Sequence, residues 1–533
     1  KVLAKGHNIG VGWDVNEASV WTDWVPSTEI PKLVSANLSG LPDLETLCDV
    51  ERKSEVVEAL KSVVVHYRQW IQKCQDENHE HWYAVKAKNL AGQLEKNLLA
   101  AADAADRIDE SINLLEKNRD AWQAFVWMNQ SIQRSQMCPS VQSTRGDRAF
   151  NWRPFQLFFI LLNLRGLTRN GSQPIAPEER NTLDLLWFPT GGGKTEAYLG
   201  LIAYAAFLRR IQGETQTATV AIMRYTLRLL TMQQGERATR LILAMNMVGK
   251  ENGVQGVPFT VGMWIGNKTS PGTINDARKT LQLMAQGKPL RGAANPAQIP
   301  ACPWCGSEFN EEEAEGNYRM NGSIQSGKAF DLVCTDEKCE IYEKPLPYSC
   351  IDEEVYANPP TLLISTVDKF ARMSSKPEAA VFLGKSTPQS PHKKNPPELI
   401  ILDELHLLSG PLGSIAGLWE SALQSLMGEW RPKYIAATAT IRGAEKEVRS
   451  MFGRDLKIFP PPAASIKDNY FSKEQEHGER DSDRGRIHLS LLAPPATAKF
   501  GYYGPMASLL QSANVISQVG EDAFTDPWWT VIS

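Results

Sequence analysis

The chain has 533 residues, of which 42% are hydrophobic and 22% are charged, and its formal net charge is −4. A length prior of about 150 residues per domain predicts three or four folding units, with the composition of a globular protein. The charge balance argues against non-specific coating of nucleic acid. No run of about 18 uncharged apolar residues and no secretory leader is found, so we expect a cytoplasmic protein without a membrane segment.

The N-terminal third divides into two regions. Residues 1–40 combine short alternating apolar runs with prolines, which predicts a small β-rich or irregular element. Residues 41–150 show apolar positions at spacings of three and four and few glycines, which predicts a helical domain of two or three long antiparallel helices. We expect three tryptophans there to pack between helices: Trp82, Trp122 and Trp127.

From residue 151 to 458 short apolar segments alternate with helical ones, the pattern of a mostly parallel α/β sheet. Ligands of such sheets bind at the carboxyl ends of the strands. The predicted strands are Leu183–Phe188, Ala218–Met223, Phe259–Trp264, Leu362–Ser365, Leu399–Leu402 and Tyr434–Ala437.

A cysteine-rich insertion, residues 287–358, interrupts this pattern. Two cysteine pairs predict a tetrahedral zinc site in a zinc-ribbon-like insertion, although the second pair is spaced CxxxxC where CxxC is commoner: Cys302, Cys305, Cys334 and Cys339. Cys350 is an alternative ligand. Reduced free thiols or a redox pair are the other interpretations. With four protein ligands the zinc is structural or contacts DNA and is not catalytic.

A glycine run joins a predicted strand to a helix. Gly191, Gly192 and Gly193 let the backbone curl around a phosphate, Lys194 reaches the β- and γ-phosphates of a nucleotide, and Thr195 binds Mg²⁺. Phe188 departs from this nucleotide-loop pattern. The alternative is a glycine-rich strand-to-helix turn that precedes a lysine by chance.

A second polar group follows the strand Leu399–Leu402. Asp403 is predicted to hold Mg²⁺ and Glu404 to orient and polarise the attacking water, with His406 coupling the nucleotide state to a neighbouring lobe. Helix N-capping is the simpler alternative for an acidic pair after a strand.

Together these residues resemble the DExH branch of the superfamily 2 helicases. The segment from Thr190 to Thr195 is similar to the first motif and Asp403 to His406 to the second, which implies a RecA-like lobe. The resemblance also implies that Gln156 reads adenine and that Thr438 and Thr440 couple hydrolysis to movement.

Six further residues stand where this family contacts the sugar-phosphate backbone, and a solvated loop is the alternative for them. They are Arg224, Thr226, Gln233, Ser365, Thr366 and Lys369. Hydroxyls and cations at strand ends can follow a phosphate chain without reading bases.

More narrowly, the sequence of the segments Phe188–Gly200 and Asp403–Ile415 resembles that of the large helicase subunit of the DISARM anti-phage defence system. The resemblance implies DNA as the partner, single-stranded, overhanging or duplex, and a companion subunit. It also implies a second RecA-like lobe, so residues 459–533 are predicted to be a linker and the start of that lobe. Because the chain begins at Lys1, we expect it to be part of a longer protein.

The first functional hypothesis is an ATP-dependent DNA helicase or translocase of a prokaryotic defence complex. A second is a nucleotide-gated module that grips DNA or a partner protein without unwinding. A third is an RNA-directed DExH ATPase. It stays open because no residue pattern in the chain recognises a 2′-hydroxyl or a base edge, and so none distinguishes RNA from DNA.

Overall fold

The computed structural model divides the chain into two compact units, Val34–Lys473 and Lys1–Leu33 with Glu474–Ser533. It describes residues 10–14, 18–23, 27–30, 33–82, 88–146, 149–171, 173–188, 193–225, 228–266, 269–288, 290, 292–309, 316–320, 328–371, 373, 376–408, 410–438, 443–463, 468–475, 486–489, 506–508 and 511.

Four short strands lie in the N-terminal segment. These are β1 (Gly10–Asp14), β2 (Ser19–Asp23), β3 (Ser27–Ile30) and β4 (Leu33–Ser35). Strands β1 and β2 pair antiparallel in a two-stranded sheet.

Helices then dominate up to the sheet. They are α1 (Leu44–Leu47), α2 (Lys53–Trp82), α3 (Lys88–Lys117), α4 (Arg119–Gln136), α5 (Pro139–Arg145) and α6 (Pro154–Leu167). Asn118 ends α3 and begins α4, because its side chain accepts a hydrogen bond from the Ala121 amide. Trp122 is buried and Trp127 packs edge-on against Phe207 with ring centroids 5.5 Å apart, which confirms their packing role. The side chain of Trp82 lies outside the described residues.

The central region alternates strands and helices in chain order. Its elements are β5 (Arg169–Asn170), β6 (Gln173–Pro174), β7 (Thr182–Trp187), α7 (Lys194–Ile211), β8 (Ala221–Tyr225), α8 (Arg228–Glu251), β9 (Val261–Trp264), α9 (Ile274–Ala285), β10 (Tyr318–Met320), β11 (Phe330–Leu332), β12 (Tyr348–Ser349), α10 (Asp352–Ala357), β13 (Leu362–Thr366), α11 (Val367–Ala371), β14 (Leu399–Asp403), α12 (Gly410–Met427), β15 (Lys433–Thr438), α13 (Ala444–Phe452) and β16 (Asp455–Phe459). Short 3-10 helices occur at Glu178–Asn181, Pro377–Leu383 and Leu405–Leu407.

Two late strands complete the description: β17 (Ser472–Glu474) and β18 (Arg486–Leu489). Strand β18 pairs antiparallel with β3, and β17 pairs with β4. Residues 512–533, where the sequence predicts the start of a second lobe, lie outside the described residues.

Eight strands form one sheet in the order β12-β9-β13-β8-β14-β15-β7-β16, and every pairing is parallel. All six predicted strands are present within three residues of their predicted ends. The edge strands β12 and β16 were not predicted, since β12 has two residues and β16 runs directly into three prolines. The predicted α/β fold, with N-terminal helices and a cysteine-rich insertion, is confirmed.

Helix α7 is buried along almost its whole length, because helices α4 and α6 pack on it. Gly200 permits this close approach. A Cβ at that position would lie 2.9 Å from Ile160 Cδ1 and 3.1 Å from Met128 Sδ, so any larger residue would push the helices apart. The helical region and the sheet therefore share one hydrophobic core.

A buried ionic network also ties α3 to the sheet. Both carboxylate oxygens of Asp184 on β7 accept hydrogen bonds of 2.8 Å from the Arg107 guanidinium, and Lys433 on β15 donates to the same carboxylate. Burial opposes ionisation of Asp184, but the two cations outweigh it and hold the pKa of Asp184 well below its ordinary value. Burial lowers the pKa of Lys433 to about 8 despite the carboxylate beside it.

Among the residues that the structure describes, no helix is both long and apolar enough to cross a membrane.

Candidate functional site

A cleft of about 540 Å³ opens at the carboxyl ends of β7 and β14. Its lining includes most of the predicted nucleotide-binding side chains that the structure describes. The lining includes Gln156, Gly193, Lys194, Thr195, Glu196, Tyr198, Gln233, Gln234, Arg237, Asp403 and Glu404. This is the edge at which parallel α/β sheets bind ligands.

The described part of the phosphate loop begins at Gly193, since Thr190, Gly191 and Gly192 lie outside the described residues. Gly193 caps α7 with φ +87°, a left-handed conformation that favours glycine. Lys194 follows as the first helical residue, and its ammonium donates a 2.7 Å hydrogen bond to the Phe188 carbonyl. Burial lowers the pKa of Lys194, and the carboxylates of Glu404 and Asp403 oppose that shift.

Gln156 lies at the same end of the cleft. Its Nε2 donates a 2.6 Å hydrogen bond to the Gly193 carbonyl, and its Oε1 accepts one of 2.8 Å from the Arg153 amide. An amide has two donor hydrogens and two acceptor lone pairs, so one of each on Gln156 has no partner among the residues that the structure describes. The two bonds fix the orientation of the side chain, and its recognition of adenine stays a prediction.

The structure gives a reason for the unusual Phe188. Its ring stacks on Phe155 with centroids 3.8 Å apart and an interplanar angle of 10°. Phe155 precedes Gln156 on α6, so the stack fixes the end of β7 against the helix that carries the glutamine. A small residue at 188 would lose this contact.

One tyrosine links the two predicted magnesium ligands. Tyr198 Oη donates a 2.8 Å hydrogen bond to Asp403 Oδ2 and lies 3.0 Å from Thr195 Oγ1. Burial raises the pKa of Asp403, and the adjacent charge of Glu404 adds to the shift while Tyr198 opposes it. Sequence reasoning missed Tyr198. The signal was its position three residues after Thr195, which places both side chains on one face of α7.

The end of β14 holds its acidic pair in a strained turn. Glu404 has φ +52°, an unusual conformation for a non-glycine residue, and its amide donates to Asp403 Oδ1 at 3.0 Å. His406 Nδ1 lies 2.9 Å from Thr438 Oγ1 and 3.3 Å from Glu404 Oε2. The structure therefore brings together His406, Glu404 and Thr438, while Thr440 lies outside the described residues.

Four of the side chains predicted to contact nucleic acid are buried in this structure. Arg224 is buried in an ion pair with Glu420, and Lys369 is buried 2.6 Å from Asp352. Ser365 and Thr366 have no exposed surface. All four side chains are enclosed by packing around the parallel strands, and their contact with a phosphate chain stays a prediction. Thr226 lies outside the described residues.

Gln233, the sixth predicted nucleic-acid residue, instead lines the cleft, as do Gln234 and Arg237 of the same helix. Arg237 lies 3.4 Å from the carboxylate of Glu196, the residue after Thr195. The sequence motifs did not predict a role for either residue of this ion pair.

The four predicted zinc ligands converge. The sulfur atoms of Cys302, Cys305, Cys334 and Cys339 all lie within 4.8 Å of one another, and Cys305 and Cys334 are 3.6 Å apart. Tetrahedral zinc with Zn–S bonds of about 2.3 Å holds its sulfurs about 3.8 Å apart, so the donor set fits that metal. Burial raises the pKa of Cys334.

Cys350 is not part of this cluster, because its thiol bonds to the Pro296 carbonyl at 3.3 Å. The alternative in which it replaces one ligand is not supported. Cys48, Cys74 and Cys138 are not in disulfide bonds, and of the three Cys138 is buried.

The first cysteine knuckle is docked on two helices. The Pro303 carbonyl accepts hydrogen bonds of 2.8 Å from both Ser140 of α5 and Arg240 of α8. The Ser140 amide donates to the Trp304 carbonyl at 3.0 Å. The cluster is therefore joined to helices of the main unit and is not an isolated loop.

Purified protein is expected to carry about one zinc ion per chain, and the Cys302→Ser, Cys334→Ser variant about none, because two thiolates cannot complete a tetrahedral site. Metal content by plasma emission spectrometry measures this. Cys350→Ser is the matched control, a buried thiol of the same insertion that lies outside the cluster, and should keep its zinc. Retention of zinc by the double variant would contradict the site.

The chain is 30% identical over 596 aligned positions to the DISARM protein DrmA of Bacillus paralicheniformis. The predicted resemblance to the DISARM protein is confirmed. The alignment covers 100% of this chain and 52% of DrmA, so the chain spans about half the length of that relative. No family model matches the chain.

Three solved structures are similar in part. The DUF1998 helicase MrfA bound to DNA and AMPPNP has a TM-score of 0.30 at 13% identity, covering 61% of this chain and 28% of its own. The Mycobacterium smegmatis helicase Lhr bound to ssDNA and AMP-PNP has a TM-score of 0.29 at 18% identity, covering 54% and 24%. The yeast DEAD-box splicing factor Prp28 has a TM-score of 0.31 at 9% identity, covering 71% and 59%.

Proposed function

We propose that the chain binds ATP with Mg²⁺ and hydrolyses it as the motor of a DNA helicase or translocase in an anti-phage defence complex. The observation that carries this proposal is one cleft lined by Lys194, Thr195, Asp403 and Glu404. These are a cation, a hydroxyl and two carboxylates, the groups that phosphoryl transfer from a magnesium nucleotide requires.

In the proposed reaction Lys194 neutralises the β- and γ-phosphates, and its bond to the Phe188 carbonyl is exchanged for one to phosphate. Thr195 and Asp403 would hold Mg²⁺, which would stabilise the negative charge that develops on the phosphates. Tyr198, which contacts both side chains, would orient them. Asp403 would bind the ion in its ionised form, whereas its burial favours protonation.

Glu404 is proposed to orient the water that attacks the γ-phosphate. Its position after a buried parallel strand, beside Asp403, places a carboxylate at the cleft without a long flexible loop. His406, which contacts both Glu404 and Thr438, is proposed to transmit the state of the nucleotide to β15.

DNA as the partner is supported by the motif order and by the similarity to a DISARM protein. Because Arg224, Ser365, Thr366 and Lys369 are buried, we expect other groups of the chain to contact the DNA phosphates. A companion subunit of the defence complex is proposed on the same similarity. The cysteine cluster is proposed to bind zinc in a structural role, since four thiolates leave no open coordination position.

The test is steady-state ATP hydrolysis by the full-length protein, alone and with single-stranded, overhanging and duplex DNA or matched RNA. Stimulation by DNA is expected, and Lys194→Ala should lower the stimulated rate at least about 100-fold because phosphate charge is left unneutralised. Lys250→Ala, an exposed lysine at the end of α8, is the matched control.

Hydrolysis that no nucleic acid changes would contradict a nucleic-acid motor and favour the nucleotide-gated module that grips a partner. Stronger stimulation by RNA than by every DNA would instead support the RNA-directed ATPase. A strand-displacement assay on the same substrates separates unwinding from translocation.

A further inference from the structure

Helix α8 forms a wall of the nucleotide cleft that the proposed hydrolysis does not use. Gln233, Gln234 and Arg237 all line the cavity, and Gln233 and Arg237 are four residues apart, so they share one face of the helix. On α7, Glu196 lines the same cavity and lies 3.4 Å from the Arg237 guanidinium. None of the four belongs to the triphosphate machinery described above.

Two oxygen atoms of this wall are buried without a partner. Glu196 is 8% exposed, and while its Oε1 contacts Arg237, its Oε2 has no hydrogen-bond donor among the described residues. Oε1 of Gln234 is buried in the same way, with no donor in the described part of the chain. Both atoms are acceptors, and a buried acceptor without a donor is unfavourable. A ligand that supplies two donors would satisfy both atoms.

The position of Glu196 within the cleft identifies the part of the nucleotide it faces. A Cβ built on Gly193 would lie 2.7 Å from Gln156 Nε2 and 3.2 Å from Glu196 Oε2. The ends of both side chains therefore lie close to the Gly193 backbone. Glu196 also directly follows Thr195, the proposed magnesium ligand. Its free oxygen thus lies between the base end and the phosphate end of the cleft.

ATP offers few donors of the required kind. The triphosphate presents only acceptors, and the adenine amino group is assigned to Gln156, which keeps a free lone pair for it. The remaining donors are the 2′- and 3′-hydroxyls of ribose, which lie between base and phosphates. Two hydroxyls match two unpaired acceptors in number and in chemistry, and Glu196 lies in the part of the cleft where ribose would lie.

We propose that Glu196 and Gln234 form a ribose site, in which Glu196 Oε2 and Gln234 Oε1 accept hydrogen bonds from the two ribose hydroxyls. Arg237 is a positioning residue that holds the Glu196 carboxylate through its other oxygen. The site selects ribonucleotides over deoxyribonucleotides. This inference rests on the proposed nucleotide binding.

The experiment is calorimetric titration of the full-length protein with magnesium ATP, 2′-deoxyATP and 3′-deoxyATP. Each deoxynucleotide is expected to bind about tenfold more weakly than ATP, because one buried acceptor loses its donor. In the double variant Glu196→Met, Gln234→Met, which keeps side-chain length without an acceptor, the three affinities should become equal. Arg237→Met should reduce the ratio as well.

Glu236→Met is the matched control, because Glu236 lies on α8 and pairs with Arg240 at 2.8 Å but does not line the cleft. It should keep the wild-type ratio. Equal binding of ATP and both deoxynucleotides by the wild type would overturn the ribose site while leaving nucleotide binding intact, and this holds even if a variant fails to fold. Absence of ATP binding by the wild type would overturn the proposed function and the ribose site together.

Discussion

Asp184→Asn is expected to lower the free energy of unfolding by about 3–5 kcal/mol, because it leaves Arg107 and Lys433 buried without their shared counter-charge. Asp184 has no exposed surface, so water cannot replace the lost carboxylate. The asparagine amide oxygen still accepts hydrogen bonds, but it carries no charge. Urea denaturation followed by circular dichroism measures the change.

The control is Asp455→Asn, which removes the same kind of carboxylate from an exposed pair with Arg449. Both partners of that pair are about two-thirds exposed, so the expected loss is at most about 1 kcal/mol. If the two variants lose equal stability, the buried network is not what holds α3 to the sheet.

Strand positions and the nucleotide cleft were predictable because local patterns encode them. A buried parallel strand such as Leu399–Asp403 is a continuous apolar run, and the polar residue at its end falls at the edge where ligands bind. The glycine before Lys194 signals a left-handed turn in the same direct way. Cysteine spacing predicted the sulfur cluster, because each cysteine pair is local in the sequence and only the two pairs have to come together.

Other features depend on contacts between distant segments, which spacing does not reveal. Arg224 follows the predicted strand Ala218–Met223 as a phosphate contact would, but in the structure it lies within β8 and pairs in the interior with Glu420, 196 residues later. The partners Arg107 and Asp184 are 77 residues apart and on different element types. A polar residue near a strand end is therefore ambiguous until the helix that covers it is placed.

Helix α8 connects the two candidate sites. Arg237 reaches the nucleotide cleft, and Arg240, three residues later, donates to the carbonyl of the first cysteine knuckle. A shift of α8 would therefore move residues at both the nucleotide cleft and the cysteine cluster. The cysteine-rich insertion is therefore connected to the cleft through α8. Its cysteines lie more than 60 residues after Arg240 in the chain, so the sequence does not show this connection.

Glu404→Gln is expected to lower the DNA-stimulated rate of ATP hydrolysis by about 10²–10⁴-fold while ATP affinity changes little. Glutamine keeps the size of the side chain in the strained turn at φ +52° but cannot polarise the attacking water as a carboxylate does. The groups proposed to hold the nucleotide, Lys194 and Thr195, are unchanged. Single-turnover hydrolysis and calorimetric ATP titration measure the two effects separately.

The matched control is Glu429→Gln, an exposed glutamate after α12 that lies outside the cleft. It should hydrolyse ATP at the wild-type rate. Equal rates for the two variants would show that Glu404 does not act on the water. A parallel loss of affinity and rate in Glu404→Gln would mean that this carboxylate helps to bind the nucleotide, and only loss of rate with retained affinity is consistent with a role in the chemical step.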